Sequence, residues 1–219
     1  MLFMSKIIVF NGDSITDAGR DRANTENMGR GFPLLIKAAL NFEFPGEYVF
    51  HNLGVSGNRM PDMYARLPGK TLGLKPDYLS LLIGVNDIWH GIMGMGNGSV
   101  SPEKYEMLFN MYIEEIKSEL PDIKIIILEP FVLKGEKTRD CYEVRERWSM
   151  FRDGVHAMAE KAARVAEKQG AKFIPLQHLF DEACEKAPVS NWLYDGVHPA
   201  PAGHELIKRE WLKAFNEIK

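Results

Sequence analysis

Cysteine is scarce in this chain. Two occur in 219 residues, Cys141 and Cys184, too few for a disulfide scaffold and in no C-x-x-C pair that would bind a metal or run redox chemistry. Long hydrophobic runs are missing as well. Nothing approaches the ~18 uninterrupted apolar residues of a membrane span. The opening MLFMSKIIVF lacks the order of a secretory signal, because Lys6 interrupts the apolar run and Asn11-Gly12-Asp13 follows it directly. The reading is a cytoplasmic protein with no membrane partner. An excess of positive charge is also absent. Lys and Arg number 27 against 30 Asp and Glu, a net charge of −3, which argues against a nucleic-acid or anionic-membrane binder. Internal repeats, long linkers and low-complexity tracts do not occur, and the one unusual loop is Gly91–Gly98 (GIMGMGNG).

What is present is ordinary for a soluble globular protein: 45% apolar and 26% charged residues. A chain of this size buries roughly 70% of its unfolded surface and needs no covalent staple. It reads as a single domain over residues 1–219. Short β-branched or apolar runs predict strands at Lys6–Phe10, Tyr48–Asn52, Tyr78–Ile83, Lys124–Leu128 and Lys172–Pro175. Helical patterns lie between and after them, near Gly31–Phe42, Pro61–Arg66, Pro102–Leu120, Arg139–Gln169 and Pro201–Ile218. Ser101-Pro102 supplies a cap and an N1 proline, and Gly170 supplies a stop. The alternation predicts an α/β protein: a three-layer α/β/α sandwich on a five-stranded parallel sheet. Right-handed crossovers put every strand's C-terminal end on one edge, where ligands bind.

The segments after the strands therefore carry the search for function. After the first comes Gly12-Asp13-Ser14-Ile15-Thr16, a serine on a tight turn. It reads either as a helix cap or as a nucleophile that needs a base. After the second comes Asn52-Leu53-Gly54, a simple turn or a glycine lending its N–H to a ligand. After the third comes Gly84-Val85-Asn86-Asp87, an Asx turn or an amide aimed at an oxyanion. Before the last helix comes Tyr194-Asp195-Gly196-Val197-His198-Pro199, a cap and a surface histidine or an oriented base. Each is modest alone. One sheet edge would gather all four, and together they supply nucleophile, base, orienter and oxyanion donors.

On these residues the chain resembles the SGNH, or GDSL-type, hydrolases. Ser14 matches the nucleophile block, Gly54 the second, Asn86 the third, and Asp195 with His198 the last, so the resemblance runs from residue 11 to 199. GDSITDAGR, KPDYLSLLIGVNDIW and YDGVHPAPAGHELI are similar to a bacterial subgroup of intracellular acetyl xylan esterases and carbohydrate acetylesterases. Two departures are Ile15 for the older Leu, and Tyr194 where that subgroup carries Trp, with Trp192 nearby. The resemblance implies a flavodoxin-like fold and a serine esterase acting through an acyl-serine on small acetylated carbohydrates. Ser14, Asp195 and His198 would be catalytic. The Ser14 N–H, the Gly54 N–H and the Asn86 amide would meet the oxyanion. No metal or organic cofactor is implied.

Trp89, Tyr194 and Trp192 adjoin these loops and suit a sugar ring. Arg59 reads as a substrate contact or as an ion-paired side chain. Asp17 and Arg20 read as structural, and His90 is a candidate for the cleft. His51, His90, His156, His178 and His204 show no ligand spacing, and His204-Glu205 lacks the second His of HExxH. The Met93–Met95 stretch reads as a lid or as a homo-oligomer contact. An α/β-hydrolase elbow is set aside, because Gly12-Asp13-Ser14-Ile15-Thr16 has no second Gly. Two alternatives remain: a broad acyl-ester or thioester hydrolase that includes lysophospholipids, and a non-catalytic flavodoxin-like binding module.

Overall fold

Five apolar runs become the strands β1 (Lys6–Gly12), β2 (Tyr48–Asn52), β3 (Tyr78–Leu82), β4 (Lys124–Leu128) and β5 (Lys172–Ile174) of the computed structural model, which describes residues 5–96 and 98–219. The first four residues of the opening segment and Asn97 of the Gly91–Gly98 run lie outside the described residues. All neighbouring strands pair in parallel, in the order β2-β1-β3-β4-β5. Ile8 registers against Phe50 on one side and Tyr78 on the other.

Period-two alternation divides the core between the two faces of the sheet. Ile8, Phe10, Tyr78, Leu82, Ile126 and Leu128 point into one apolar cluster. Val9, Leu79, Leu81, Ile125 and Ile127 point into the other. Because both faces are covered, the strands read as nearly continuous apolar runs.

The helices are α1 (Ser14–Asp17), α2 (Phe32–Glu43), α3 (Met60–Ala65), α4 (Val85–Ile92), α5 (Pro102–Glu119), α6 (Arg147–Gln169), α7 (Gln177–Cys184), α8 (Val189–Trp192) and α9 (Pro201–Ile218). The first face is covered by α2, α7 and α9, through Phe32, Ile36, Phe180, Trp211 and Phe215. Trp211 stacks on Phe215 at 4.9 Å and donates its indole N–H to Ser80 Oγ at 3.0 Å. The second face is covered by α3, α5 and α6, through Met60, Met63, Tyr105, Phe109, Tyr112 and Met158. Among the described residues no helix is long and apolar enough to cross a membrane.

The structure corrects the element reading in two ways. The long helix begins at Arg147, not Arg139. Residues 139–146, RDCYEVRE, mix poor helix formers with Asp140, whose carboxylate accepts the Trp148 N–H at 3.0 Å just inside the real start. Four further helices, the short α1 and α8 and the longer α4 and α7, stand where the sequence reading gave none. Helix α4 matters for function, because Asn86 sits on its opening turn.

The strand order reverses direction at β1. From there the chain moves outward to β2, and from β3 it moves the other way. The segments leaving β1 and β3 diverge and open a crevice between them, the switch point where flavodoxin-like sheets take ligands.

Candidate active site

Ser14 is the first residue of α1, directly beyond β1. Asp13 caps that helix: its Oδ1 accepts the Ile15 N–H at 2.9 Å. The other oxygen, Oδ2, is buried with no hydrogen-bond partner, and burial pushes this carboxyl up to about 7. Ser14 Oγ stands 2.9 Å from His198 Nε2, and His198 Nδ1 stands 2.7 Å from Asp195 Oδ2.

The loop that presents His198 is fixed at both ends. Leu193 and Pro199 form an antiparallel bridge, and the Tyr194 N–H reaches His198 O at 2.8 Å. The segment after β4 braces it from outside, with the Leu133 N–H on Gly196 O and the Lys137 N–H on Asp195 O, each at 2.8 Å. Inside the loop, Asp195 Oδ1 accepts the Val197 and His198 amides at 3.0 and 2.9 Å. Burial works against the Asp195 charge, but the imidazole and these amides outweigh it and hold the carboxyl at about 2. An ionised Asp195 accepts a hydrogen bond from the Nδ1–H, which keeps the proton on Nδ1 and leaves the Nε2 lone pair free for the serine hydroxyl. The same contact raises the His198 pKa above the usual 6.5, against the effect of burial.

Two depressions meet at this pair. The first is lined by Ser56, Gly57, Asn86, Trp89 and His90, and the second by Arg30, Tyr194, Pro199 and His204; Ser14 and His198 border both. Asn86 is buried and gives one amide hydrogen to Asn58 O at 3.1 Å, which leaves the second for the cleft. Trp89 places its ring 5.9 Å from the His198 ring and edge-on to Phe151 at 5.4 Å. Tyr194 is 62% exposed on the opposite rim. His90 is buried at the cleft floor, and Met95 reaches the same depression.

Three sequence-predicted contacts fall elsewhere. The Gly54 N–H is held by Asn52 Oδ1 at 2.9 Å. A Cβ at Gly54 would lie 2.4 Å from the Asp17 N, so this glycine permits close packing of two backbones and does not face the cleft. Gly57, three residues on, takes its place at the cleft wall. Its φ is +83°, and among the described residues no protein acceptor takes its N–H. Trp192 lies in a separate groove with Leu179 and Leu206, its indole N–H on Ala187 O at 3.3 Å. Arg59 is tied to Asp62 at 3.0 Å at the start of α3 and lines neither depression.

Gly57 was legible in principle. Ser56-Gly57-Asn58 is a turn triplet in the same post-strand segment, but Gly54 is nearer to the strand. Asp17 and Arg20 take the structural part read for them and hold this segment in place. Asp17 Oδ2 accepts Arg22 at 2.6 Å and the Ser56 N–H at 3.0 Å, while Arg20 Nε donates to Gly54 O at 2.9 Å.

Comparison with known proteins finds relatives that match along nearly the whole chain. The chain is 29% identical over 215 residues to an acetylxylan esterase from Geobacillus stearothermophilus, covering 94% of this chain and 92% of that protein. A solved structure described as a GDSL-like lipase from Parabacteroides merdae superposes with a TM-score of 0.85 at 32% identity, covering 100% of this chain and 99% of that one. A structure of a catalytic mutant of the Geobacillus enzyme gives a TM-score of 0.82 at 26% identity, with 97% and 96% coverage. Solved catalytic mutants of that enzyme replace an aspartate, a serine or a histidine by alanine. The model of the GDSL-like Lipase/Acylhydrolase family matches residues 10–206, and the chain belongs to that family of carboxylic ester hydrolases.

Proposed function

We propose that this esterase removes acetyl groups from acetylated sugars such as xylo-oligosaccharides, through an acetyl-Ser14 intermediate. Ser14 Oγ attacks the acetyl carbonyl while His198 Nε2 accepts its proton. The tetrahedral intermediate collapses by breaking the bond to the sugar oxygen, and His198 returns the proton to that oxygen. Water, deprotonated by His198, then attacks the acetyl-enzyme and releases acetate. Asp195 orients the ring and stabilises its cation. The oxyanion is met by the N–H groups of Ser14 and Gly57 and by the free Asn86 amide hydrogen.

The rim carries the choice of sugar. Trp89 and Tyr194 stand on opposite sides of the nucleophile, flat faces with a polar edge. Among the described residues neither depression is lined by a run of long aliphatic side chains. Similarity to the acetylxylan esterase supports the same reading. No nucleic acid or membrane takes part in it.

A series of 4-nitrophenyl esters tests the acyl side, alongside acetylated xylobiose and acetylated glucose. Acetyl is expected to be preferred, with kcat/KM falling steeply by butyryl. A lipid trough would instead gain about 0.8 kcal/mol, roughly fourfold, for each CH₂ it buried. A rate that climbs steadily with chain length would transfer the reading to a lipid or thioester substrate.

The pH profile tests the base. Only neutral His198 accepts the serine proton, so turnover is expected to rise with pH through a midpoint above 6.5, the direction in which Asp195 moves the imidazole. Asp195 itself stays ionised down to about 2 and adds no second limb in the working range. Full activity persisting to about pH 4, where an imidazole is protonated, would remove His198 from the part of base.

A further inference from the structure

The second depression holds a cation that the reaction steps above leave unused. Arg30 lines it together with Ser14, Tyr194 and His198. Its backbone N–H is bonded to Ala18 O at 3.0 Å, on the turn that ends the nucleophile helix. Its guanidinium lies over that same turn, so close that a Cβ on Gly19 would come within 2.8 Å of it. The side chain is therefore seated on the backbone that carries Ser14, while its surface remains exposed.

The charge around it is one-sided. Among the described residues no Asp or Glu forms an ion pair with Arg30. Among the described residues no carboxylate lines either depression at the nucleophile. Asp17, on the same short helix, is held by Arg22 and Ser56, and Asp195 is turned into the His198 loop. His204, the other titratable wall of the depression, is kept neutral by burial, which pushes it down to about 4. Its Nδ1 already accepts the Phe32 N–H at 3.1 Å. Two grooves elsewhere on the molecule differ, since both carry acidic side chains on their walls.

The direction of the reaction places the leaving group on this side. Gly57 and Asn86 line the first depression, so the carbonyl oxygen points there. The second is the larger of the two, about 420 Å³ against about 330 Å³. The sugar alcohol, bulkier than an acetyl methyl, has its room beside Arg30 and Tyr194.

We propose that Arg30 makes the enzyme select acetylated sugars that carry a carboxylate, a uronic-acid residue next to the acetylated one. The guanidinium fork matches a carboxylate with two parallel N–H donors, and among the described residues nothing anionic in the depression competes with it. The inference rests on the acetylesterase reading, and its test separates the two. In the first arm, kcat/KM is measured for acetylated xylo-oligosaccharides with and without a glucuronic-acid branch. The second arm measures inhibition of 4-nitrophenyl acetate hydrolysis by glucuronate against glucose. Each protein is compared only with itself, as a ratio of acidic to neutral ligand.

Wild type is expected to favour the acidic ligand about fivefold to tenfold in both arms, the size of a partly exposed charge-assisted pair. The preference is expected to shrink as salt is raised. Arg30→Gln is expected to bring the ratio to about one, and Arg30→Lys, which keeps the charge and loses the fork, to an intermediate value. Equal ratios in wild type and Arg30→Gln overturn the proposal. Failure to cleave any acetylated sugar overturns the acetylesterase reading instead, and the inhibition ratio then still decides the part of Arg30.

Discussion

Ser14→Ala is expected to lower kcat by about 10⁴–10⁶ with 4-nitrophenyl acetate, and His198→Ala by nearly as much, because nucleophile and base act as one unit. The double variant is expected to be no worse than either single one. Removing the hydroxyl leaves nothing for Nε2 to activate, and removing the imidazole leaves the hydroxyl at its ordinary, weak nucleophilicity. Asp195→Asn is expected to fall less far, by about 10⁴. An amide at Asp195 can still accept the amides of Val197 and His198, so the loop survives, but the imidazole loses the anion that fixes its tautomer. Ser14 is half-buried at the crevice and outside both apolar clusters, so the melting temperature of Ser14→Ala is expected to match wild type. A serine-directed phosphonate is expected to label wild type alone. Turnover of Ser14→Ala within about tenfold of wild type is far above what is left without a triad, and it would put the nucleophile elsewhere.

How much of this was readable beforehand follows from which forces act locally. The strands were legible, because a sheet covered on both faces writes its burial into consecutive residues such as Lys124–Leu128 (KIIIL). The bounds of α9 were legible from Pro201 to Ile218, since an N1 proline and an apolar stripe are local signals. Helix α4 was missed because Val85–Ile92 contains Gly, Asn and Asp, all poor helix formers. Its apolar spacing, Val85, Ile88, Trp89 and Ile92, was the available signal. Packing against α6 and the hydrogen bonds that Asp87 makes to the Met60 N–H at 3.0 and 3.3 Å hold that helix together, and neither is visible along the chain.

The site divides in the same way. Asp195 and His198 lie three residues apart on one loop, so their contact is a local fact that spacing announces. The meeting of Ser14 with His198 spans 184 positions, and only the parallel topology brings it about. The choice between Gly54 and Gly57 depends on which N–H is already taken. That is decided by Asn52, whose Oδ1 accepts the Gly54 N–H while its Nδ2 donates to Thr16 O at 2.7 Å and Met28 O at 3.0 Å. Trp192 and Arg59 show the converse error. Each is near a catalytic residue in sequence, yet its side chain follows a different set of neighbours.

Asn86→Ala is expected to lower kcat by about 10²–10³, the usual effect of deleting one oxyanion donor. KM is expected to move little, because the ground-state carbonyl oxygen carries far less charge than the tetrahedral intermediate. The lost contact to Asn58 O is a single hydrogen bond, so the fold is expected to hold. The two glycines supply the contrast. Gly57→Ala meets no neighbour within 4 Å, but it forces an L-residue to φ +83° and tilts the N–H that faces the cleft. It is expected to lower kcat by about tenfold or more while the melting temperature falls only modestly, since strain of this kind costs of order 1–3 kcal/mol. Gly54→Ala drives a methyl to 2.4 Å from the Asp17 backbone and 2.8 Å from Thr16 C, where nothing flexible can give way. The structure around Ser14 must then shift, and the melting temperature is expected to fall together with activity. Paired measurements of kcat and thermal melting on the three variants separate the cases. If Gly54→Ala kept its melting temperature and lost kcat as Asn86→Ala does, the Gly54 N–H would be leaving Asn52 during turnover, and Gly54 would join the oxyanion donors after all.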